Sequence, residues 1–226
     1  MPLLLPRGEP AAEGWRAVEH HELVELVVRA VGRPQGRPGI VAVDGRSGSG
    51  KSTVAARLQA AVPSSAVLAT DDLAWNEPWF GWGHLLRQVL VTLHRGEGVR
   101  LRPPAWVAHR REGAVEVPAG LDLVVVEGVG SSQREHAELL DSTVWVQSDL
   151  AESERRGIAR DVEHGGNGDE EQSIAFWREW MSHELPFLAA QQPWRRADLV
   201  VAGTPVVPLR PGQVALTRGP LGGGPA

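Results

Sequence analysis

Gly45-Arg46-Ser47-Gly48-Ser49-Gly50-Lys51-Ser52 fits the pattern GxxxxGKS without a mismatch, and Lys51 is the only lysine of the chain. All the others among the 23 lysines and arginines are arginine, so a guanidinium serves wherever else a cation is used. The exception marks chemistry. A phosphate-binding loop needs a compact ammonium on a thin, flexible stem, where a planar guanidinium is too wide to slip between phosphate oxygens. The flanks agree: Ile40-Val41-Ala42-Val43-Asp44 is a short β-branched run of the kind buried in a parallel sheet, and residues 52–61 set Val54, Ala55, Leu58 and Ala61 along one side of a helix. Strand, glycine-rich loop and helix in that order make a P-loop. It predicts binding of ATP through Gly45, Ser47, Gly48, Ser49, Gly50, Lys51, Ser52 and Thr53, with the Ser52 hydroxyl placed for Mg²⁺.

Further strands are predicted at residues 66–69, 121–126, 143–146 and 198–201, and helices at 83–95, 132–140, 150–163 and 170–191. Strands alternating with helices imply an α/β P-loop NTPase fold of three layers, a mainly parallel central sheet with helices on both faces. Val18, Leu23, Leu26, Val27, Ala30 and Val31 have a helical spacing over 14–32, and a glycine- and proline-rich linker follows. The chain then divides into an N-terminal helical extension and linker (1–37), the P-loop domain (38–205) and a C-terminal tail (206–226), partly disordered in its glycine- and proline-rich end. Ser132 and Glu135 are spaced as a capping box. Trp177, Trp180, Met181, Glu184 and Leu188 recur at helical spacing, and their apolar members are read as core.

A chain of 226 residues suits one α/β domain with terminal extensions. It has no cysteine, which excludes disulfides, cysteine-ligated zinc and thiol catalysis. The formal charge of −5, with arginines scattered among acids, argues against a nucleic-acid partner and for a small-molecule substrate. The opening Met1-Pro2-Leu3-Leu4-Leu5-Pro6 is too short an apolar run for a signal peptide, and no stretch approaches the ~20 apolar residues of a membrane span. A cytosolic address away from membranes is expected, and the sequence carries no signal for an oligomeric state.

In open α/β sheets the ligand sits beyond the carboxyl ends of the strands, so polar residues just after each strand are candidates. After the second predicted strand comes Thr70-Asp71-Asp72, and after the third Glu127-Gly128-Val129-Gly130. These acids surround a spot where a metal-bound triphosphate and an acceptor hydroxyl can meet. An aspartate there accepts the hydroxyl proton while Asp72, Glu127 and Ser52 orient Mg²⁺ directly or through water. The competing reading of Asp71 and Asp72 is that they cap the next turn.

GxSGSGKST, a DD pair after the second strand, an apolar strand ending in EG and then an arginine-rich helix resemble the uridine kinase-like family of P-loop small-molecule kinases, over residues 38–203. The resemblance implies that Asp71 is the catalytic base or a metal-water ligand, and that Glu127 is the acid of EG. It also implies a lid at about 150–171. Arg155-Arg156-Gly157-Ile158-Ala159-Arg160-Asp161 is similar to the family's lid helix, and Arg156 and Arg160, four apart, share a helix face from which both reach the phosphates. The segment after Asp72, with Trp75, Trp79, Phe80, Trp82 and His84, matches the part of the family that contributes to the acceptor pocket, where aromatic faces stack on a nucleobase or other flat group; plain packing is the competing reading of any single tryptophan. Two departures stand out: the lid ends in His164-Gly165-Gly166-Asn167-Gly168, a flexible hinge, and Pro104-Ala105-Trp106 lacks the tyrosine and acid of related bacterial sequences.

The implied activity is transfer of the γ-phosphoryl group of ATP to a hydroxyl of a nucleoside-like metabolite. Two alternatives stay open: a non-nucleoside acceptor such as a sugar, vitamin precursor or antibiotic, and a non-catalytic NTP-binding regulator. A guanine switch would read its base with NKxD, which a chain whose one lysine is Lys51 does not contain. Lys51→Ala is expected to lower phosphoryl transfer by orders of magnitude while leaving the protein folded. Paired measurements of ADP release and thermal unfolding check this, and equal losses in both would contradict it.

Overall fold

Residues 39–45 are buried on both faces along their whole length, as a short apolar run at the centre of a parallel sheet must be. In the computed structural model, which describes residues 2–165 and 167–222, this run is the second strand. The order is β1 (Arg16–Glu19), α1 (His20–Val31), β2 (Gly39–Gly45), α2 (Lys51–Ala61), β3 (Ser65–Ala69), α3 (Thr70–Ala74), α4 (Gly83–His94), β4 (Val99–Leu101), α5 (Pro104–Ala108), β5 (Val115–Val117), β6 (Leu123–Glu127), β7 (Ser142–Gln147), α6 (Leu150–His164), α7 (Glu170–Gln191), β8 (Leu199–Ala202) and β9 (Gln213–Arg218). Seven strands form one sheet in the order β1-β9-β8-β7-β2-β6-β3, and β4 pairs with β5 as a separate ribbon. Strands β3, β6, β2, β7 and β8 run parallel. This is an α/β P-loop fold.

Strand alternation sorts the core into layers. Val41 and Val43 of β2, with Leu123 and Val125 of β6, face α1 and α2 through Leu23, Val27, Val54 and Leu58. Ile40, Val124 and Val126 face the other way, onto α4 through Leu86, Val89 and Leu90. On that same side Trp145 and Val200 pack with Leu188 of α7, Trp194 and Ala12. Among the described residues no helix is long and apolar enough to cross a membrane.

The ends of the chain differ from expectation. Residues 16–19, read as the start of a helix, are a strand, and β1 pairs antiparallel with β9, which pairs antiparallel with β8. Val18 of β1, Leu23 and Val27 of α1, and Val214 and Leu216 of β9 share one core layer with β2. Neither 1–37 nor 206–226 therefore stands outside the P-loop domain. A four-residue strand with one fully buried apolar side chain offers too little alternation to be told from helix. Residues 217–222, expected to be disordered, include the end of β9 and the buried Leu221. Residues 223–226 and Gly166 of the expected hinge lie outside the described residues. The helix expected at 132–140 is a 3₁₀ helix over Arg134–Leu139 without a side-chain cap, because the Ser132 hydroxyl donates to Asp44 instead.

The expected lid is α6 with the turn after it, and it lies packed against α7. Gly157 is the contact point: a Cβ added there would collide with the Trp177 ring. Gly157 thus lets two helices approach closely. Gly157→Ala is expected to lower stability by about 1–3 kcal/mol, the usual effect of overpacking, despite alanine's better helix propensity. Chemical denaturation checks this, and a more stable variant would contradict it.

Candidate active site

The chain leaves β2 at Gly45, loops through residues 46–50 and enters α2 at Lys51, with Gly50 in the left-handed region at the helix start. Backbone amides and a helix N-terminus thereby point at one spot. Gly48 also has positive φ, and a side chain there would run into the backbone of Ser153. Only glycine lets the loop sit against the first turn of α6.

Four further anchors hold this loop. Asp44, fully buried, accepts from the amides of Gly45 (2.7 Å), Gly130 (2.9 Å) and Ser132 (3.0 Å) and from the Ser132 hydroxyl (2.7 Å). It joins the P-loop to the loop after β6, and burial raises its pKa against the pull of those donors. Arg46 is completely buried and pairs with Glu9; burial lowers the guanidinium to about 10. Glu9 in turn accepts from Trp145 Nε1 (3.0 Å) and Gln147 Nε2 (2.9 Å). Glu184 of α7, also fully buried, accepts the Ser47 amide at 3.1 Å and 3.2 Å. Lys51 Nζ donates to the Arg46 carbonyl at 3.0 Å.

One cavity of about 320 Å³ opens beside the loop, lined by Ser47, Lys51, Ser52, Asp71, Glu127, Arg160 and Asp161, with Trp75, Phe176, Trp177 and Trp180 as its apolar wall. Asp71, Glu127, Lys51, Ser52 and Arg160 all line this cavity. Burial raises the Glu127 pKa; Lys51 draws it down and Asp71 pushes it up. Ser52 Oγ donates to Glu127 Oε1 at 3.3 Å. A hydroxyl and a carboxylate side by side are hard oxygen donors, of the number Mg²⁺ takes from protein when phosphates and water supply the rest. Ser52 and Glu127 therefore fit that ion. Asp71 does not cap α3: it lies within that helix, whose N-cap is Ala69 and which has no side-chain cap bond.

Other predicted residues fall elsewhere. Asp72, expected at the metal, turns away to pair with Arg111 at 2.7 Å, while Arg111 stacks over Trp106 and Trp106 Nε1 donates to the Asp72 carbonyl. Trp82 is core, and His84 is exposed and bonds the Gly81 carbonyl. Trp79 stacks on His183 at 4.9 Å and meets Trp180 edge-on, clamping the segment to α7. Of the expected acceptor-side aromatics only Trp75 lines the cavity. Trp177, read as core, is buried, and Trp180 packs against the core; both also line this cavity.

The two lid arginines part company. Arg160, bonded to Asp161 at 2.9 Å, already lines the first cavity. Arg156 is held by Glu152 and the Gly203 carbonyl and faces a second cavity of about 380 Å³ with Gly50, Thr53, Arg57, Gly203, Pro205 and Leu209. Arg156 and Arg160 are four residues apart on α6 yet line different cavities. Ser49 is buried beneath the loop, its hydroxyl unbonded among the described residues.

No protein-family profile and no curated protein sequence matches the chain. Solved structures do. A candidate fructose transport system kinase from Silicibacter sp. TM1040 is 19% identical, with 77% of this chain and 94% of that one aligned at a TM-score of 0.56. D-glycerate 3-kinase from Cryptococcus neoformans var. grubii is 17% identical, over 81% and 94%, at 0.55. A candidate uridine kinase from Bacillus stearothermophilus is 18% identical, over 80% and 96%, at 0.44. The first two place this chain in the fold of P-loop kinases.

Sequence reasoning missed Asp44, Glu9 and Glu184 as parts of the site. An acid closing a wholly apolar strand was a readable signal for Asp44. Nothing local marked Glu9 or Glu184, whose partners in the loop lie 37 and 137 residues away. Glu9→Ala leaves Arg46 as a buried, unpaired cation and is expected to cost roughly 3–5 kcal/mol of stability. Urea unfolding checks this, and a loss below about 1 kcal/mol, the worth of an exposed pair, would contradict it.

Proposed function

We propose that this protein is an ATP-dependent kinase that transfers the γ-phosphoryl group to a hydroxyl of a small, nucleoside-like metabolite. The observation that carries the reading is the shared cavity: Lys51, Ser52, Asp71, Glu127 and Arg160 face one another across a space walled by indoles. The two cavities flank the same loop, so a nucleoside triphosphate laid along residues 47–53 puts its base beside Arg156 and Pro205 and its terminal phosphate beside Lys51. The loop amides and Lys51 hold the phosphates. Mg²⁺, held by Ser52 and Glu127, supplies neutralisation of phosphate charge. Asp71 takes the proton of the acceptor hydroxyl, and Arg160 meets the charge on the transferring group. Trp75, Phe176 and Trp180 present flat apolar faces to the acceptor and keep water away from it.

A sugar-like acceptor is the second reading. Indole faces also take the C–H faces of a sugar, Asp71, Asp161 and Asn167 offer hydroxyl partners, and the solved structures of similar fold include kinases named for fructose and glycerate. ADP release against nucleosides, sugars, glycerate, vitamin precursors and aminoglycosides separates these; tight ATP binding with a flat panel would favour a non-catalytic regulator.

With the responding acceptor, Asp71→Asn is expected to lower kcat by ~10²–10⁴-fold with little change in ATP affinity, the usual worth of a general base. Asp72→Asn, which removes only a contact to Arg111, is expected to stay within a few-fold of wild type. The reverse order of effects in steady-state kinetics would exchange the two roles.

A further inference from the structure

Glu184 is a carboxylate with no accessible surface, held by neutral donors: the Ser47 amide, and Trp180 Nε1 at 2.5 Å. Two cations act on it from a distance, Lys51 at the start of α2 and Arg46 of the loop. Arg46 already serves Glu9, which leaves Lys51 as the cation compensating Glu184. The Ser47 amide it occupies belongs to the loop that holds phosphate, so a fixed anion sits where a ligand anion is due.

We propose that Glu184 is a positioning residue for the phosphoryl donor, holding the Ser47 amide in the empty loop and taking up one proton when nucleotide phosphate binds there. This rests on the loop's reading as a nucleotide site and needs no acceptor and no turnover. Phosphate claims the Lys51 ammonium and brings several negative charges beside a carboxylate that water does not reach. An unscreened buried charge of like sign is costly, and protonation removes it. One O–H bond forms on a Glu184 oxygen, the proton comes from solvent, and no electrons change hands. Burial already holds this carboxyl above the ordinary range, against Lys51, Ser47 and Trp180, which pull it down; losing the Lys51 charge to phosphate raises it further. The protonated acid still accepts the Ser47 amide through its carbonyl oxygen.

The sign of the linkage follows. The complex carries more protons than the free protein, so nucleotide affinity falls as pH rises, by up to tenfold per pH unit in the window between the free and bound pKa values. Titration calorimetry of the full chain with Mg·ADP and with a non-hydrolysable Mg·ATP analogue, in buffers of different ionisation heat between about pH 5.5 and 8.5, counts the protons. The expected result is an uptake in wild type that exceeds that of Glu184→Gln by close to one proton at some pH in that range, the variant keeping only the exchange due to the nucleotide's own phosphate. Binding by wild type without proton uptake, or equal uptake in Glu184→Gln, overturns the inference and leaves the proposed function standing. Failure of both nucleotides to bind overturns the two together. Where the variant does not fold, binding by wild type without proton uptake still overturns the inference.

Discussion

A phosphate loop has contradictory requirements, and the rest of this structure is arranged around them. Most of its amides must be left for a ligand, so few of the backbone bonds that fix strands and helices can hold the loop. Its shape has to be imposed from outside. Here Asp44 ties it to the loop after β6, Glu9 locks Arg46 from the N-terminal segment, and Glu184 reaches in from α7. Gly48 lets α6 press against it. Each anchor comes from a different part of the chain, and three are buried carboxylates.

Placing charge inside a protein is costly unless hydrogen bonds and counter-charges replace water. Asp44 has four donors, Glu9 has an arginine and two neutral donors, and Glu184 has two neutral donors and only distant cations. The site is therefore electrostatically unfinished in a graded way. These three acids do not line the cavity, while Asp71 and Glu127 do. A cationic metal and an anionic phosphate entering together disturb this balance less than either alone.

Much of the architecture was legible because it is local. The loop, its strand and its helix are fixed by spacing within about twenty residues, and the acids ending β3 and β6 follow from where a parallel sheet keeps its ligands. The choice between Asp71 and Asp72 was harder. Neighbours on a helical turn point about 100° apart, and only the phase of α3, set by Leu73 in the core, decides which faces the cavity. Indoles on α7 read as core are core, and their second role as a cavity wall was hidden because a buried stripe and a cavity wall have the same period. Strands β1 and β9 were invisible because each is short and gains its meaning from the other.

That last pairing has a bearing on biosynthesis. Arg16 stands opposite Leu216, so β1 waits for a strand made about two hundred residues later. Until then the nascent sheet has an open edge, and the Glu9 segment already ahead of it is tethered to an unfinished frame. Such non-local closure favours late, cooperative completion over stepwise growth from the N-terminus. A chain cut short before β9 would carry every residue of the cavity and still expose β8 as an unprotected edge, the kind of surface on which unfinished sheets associate.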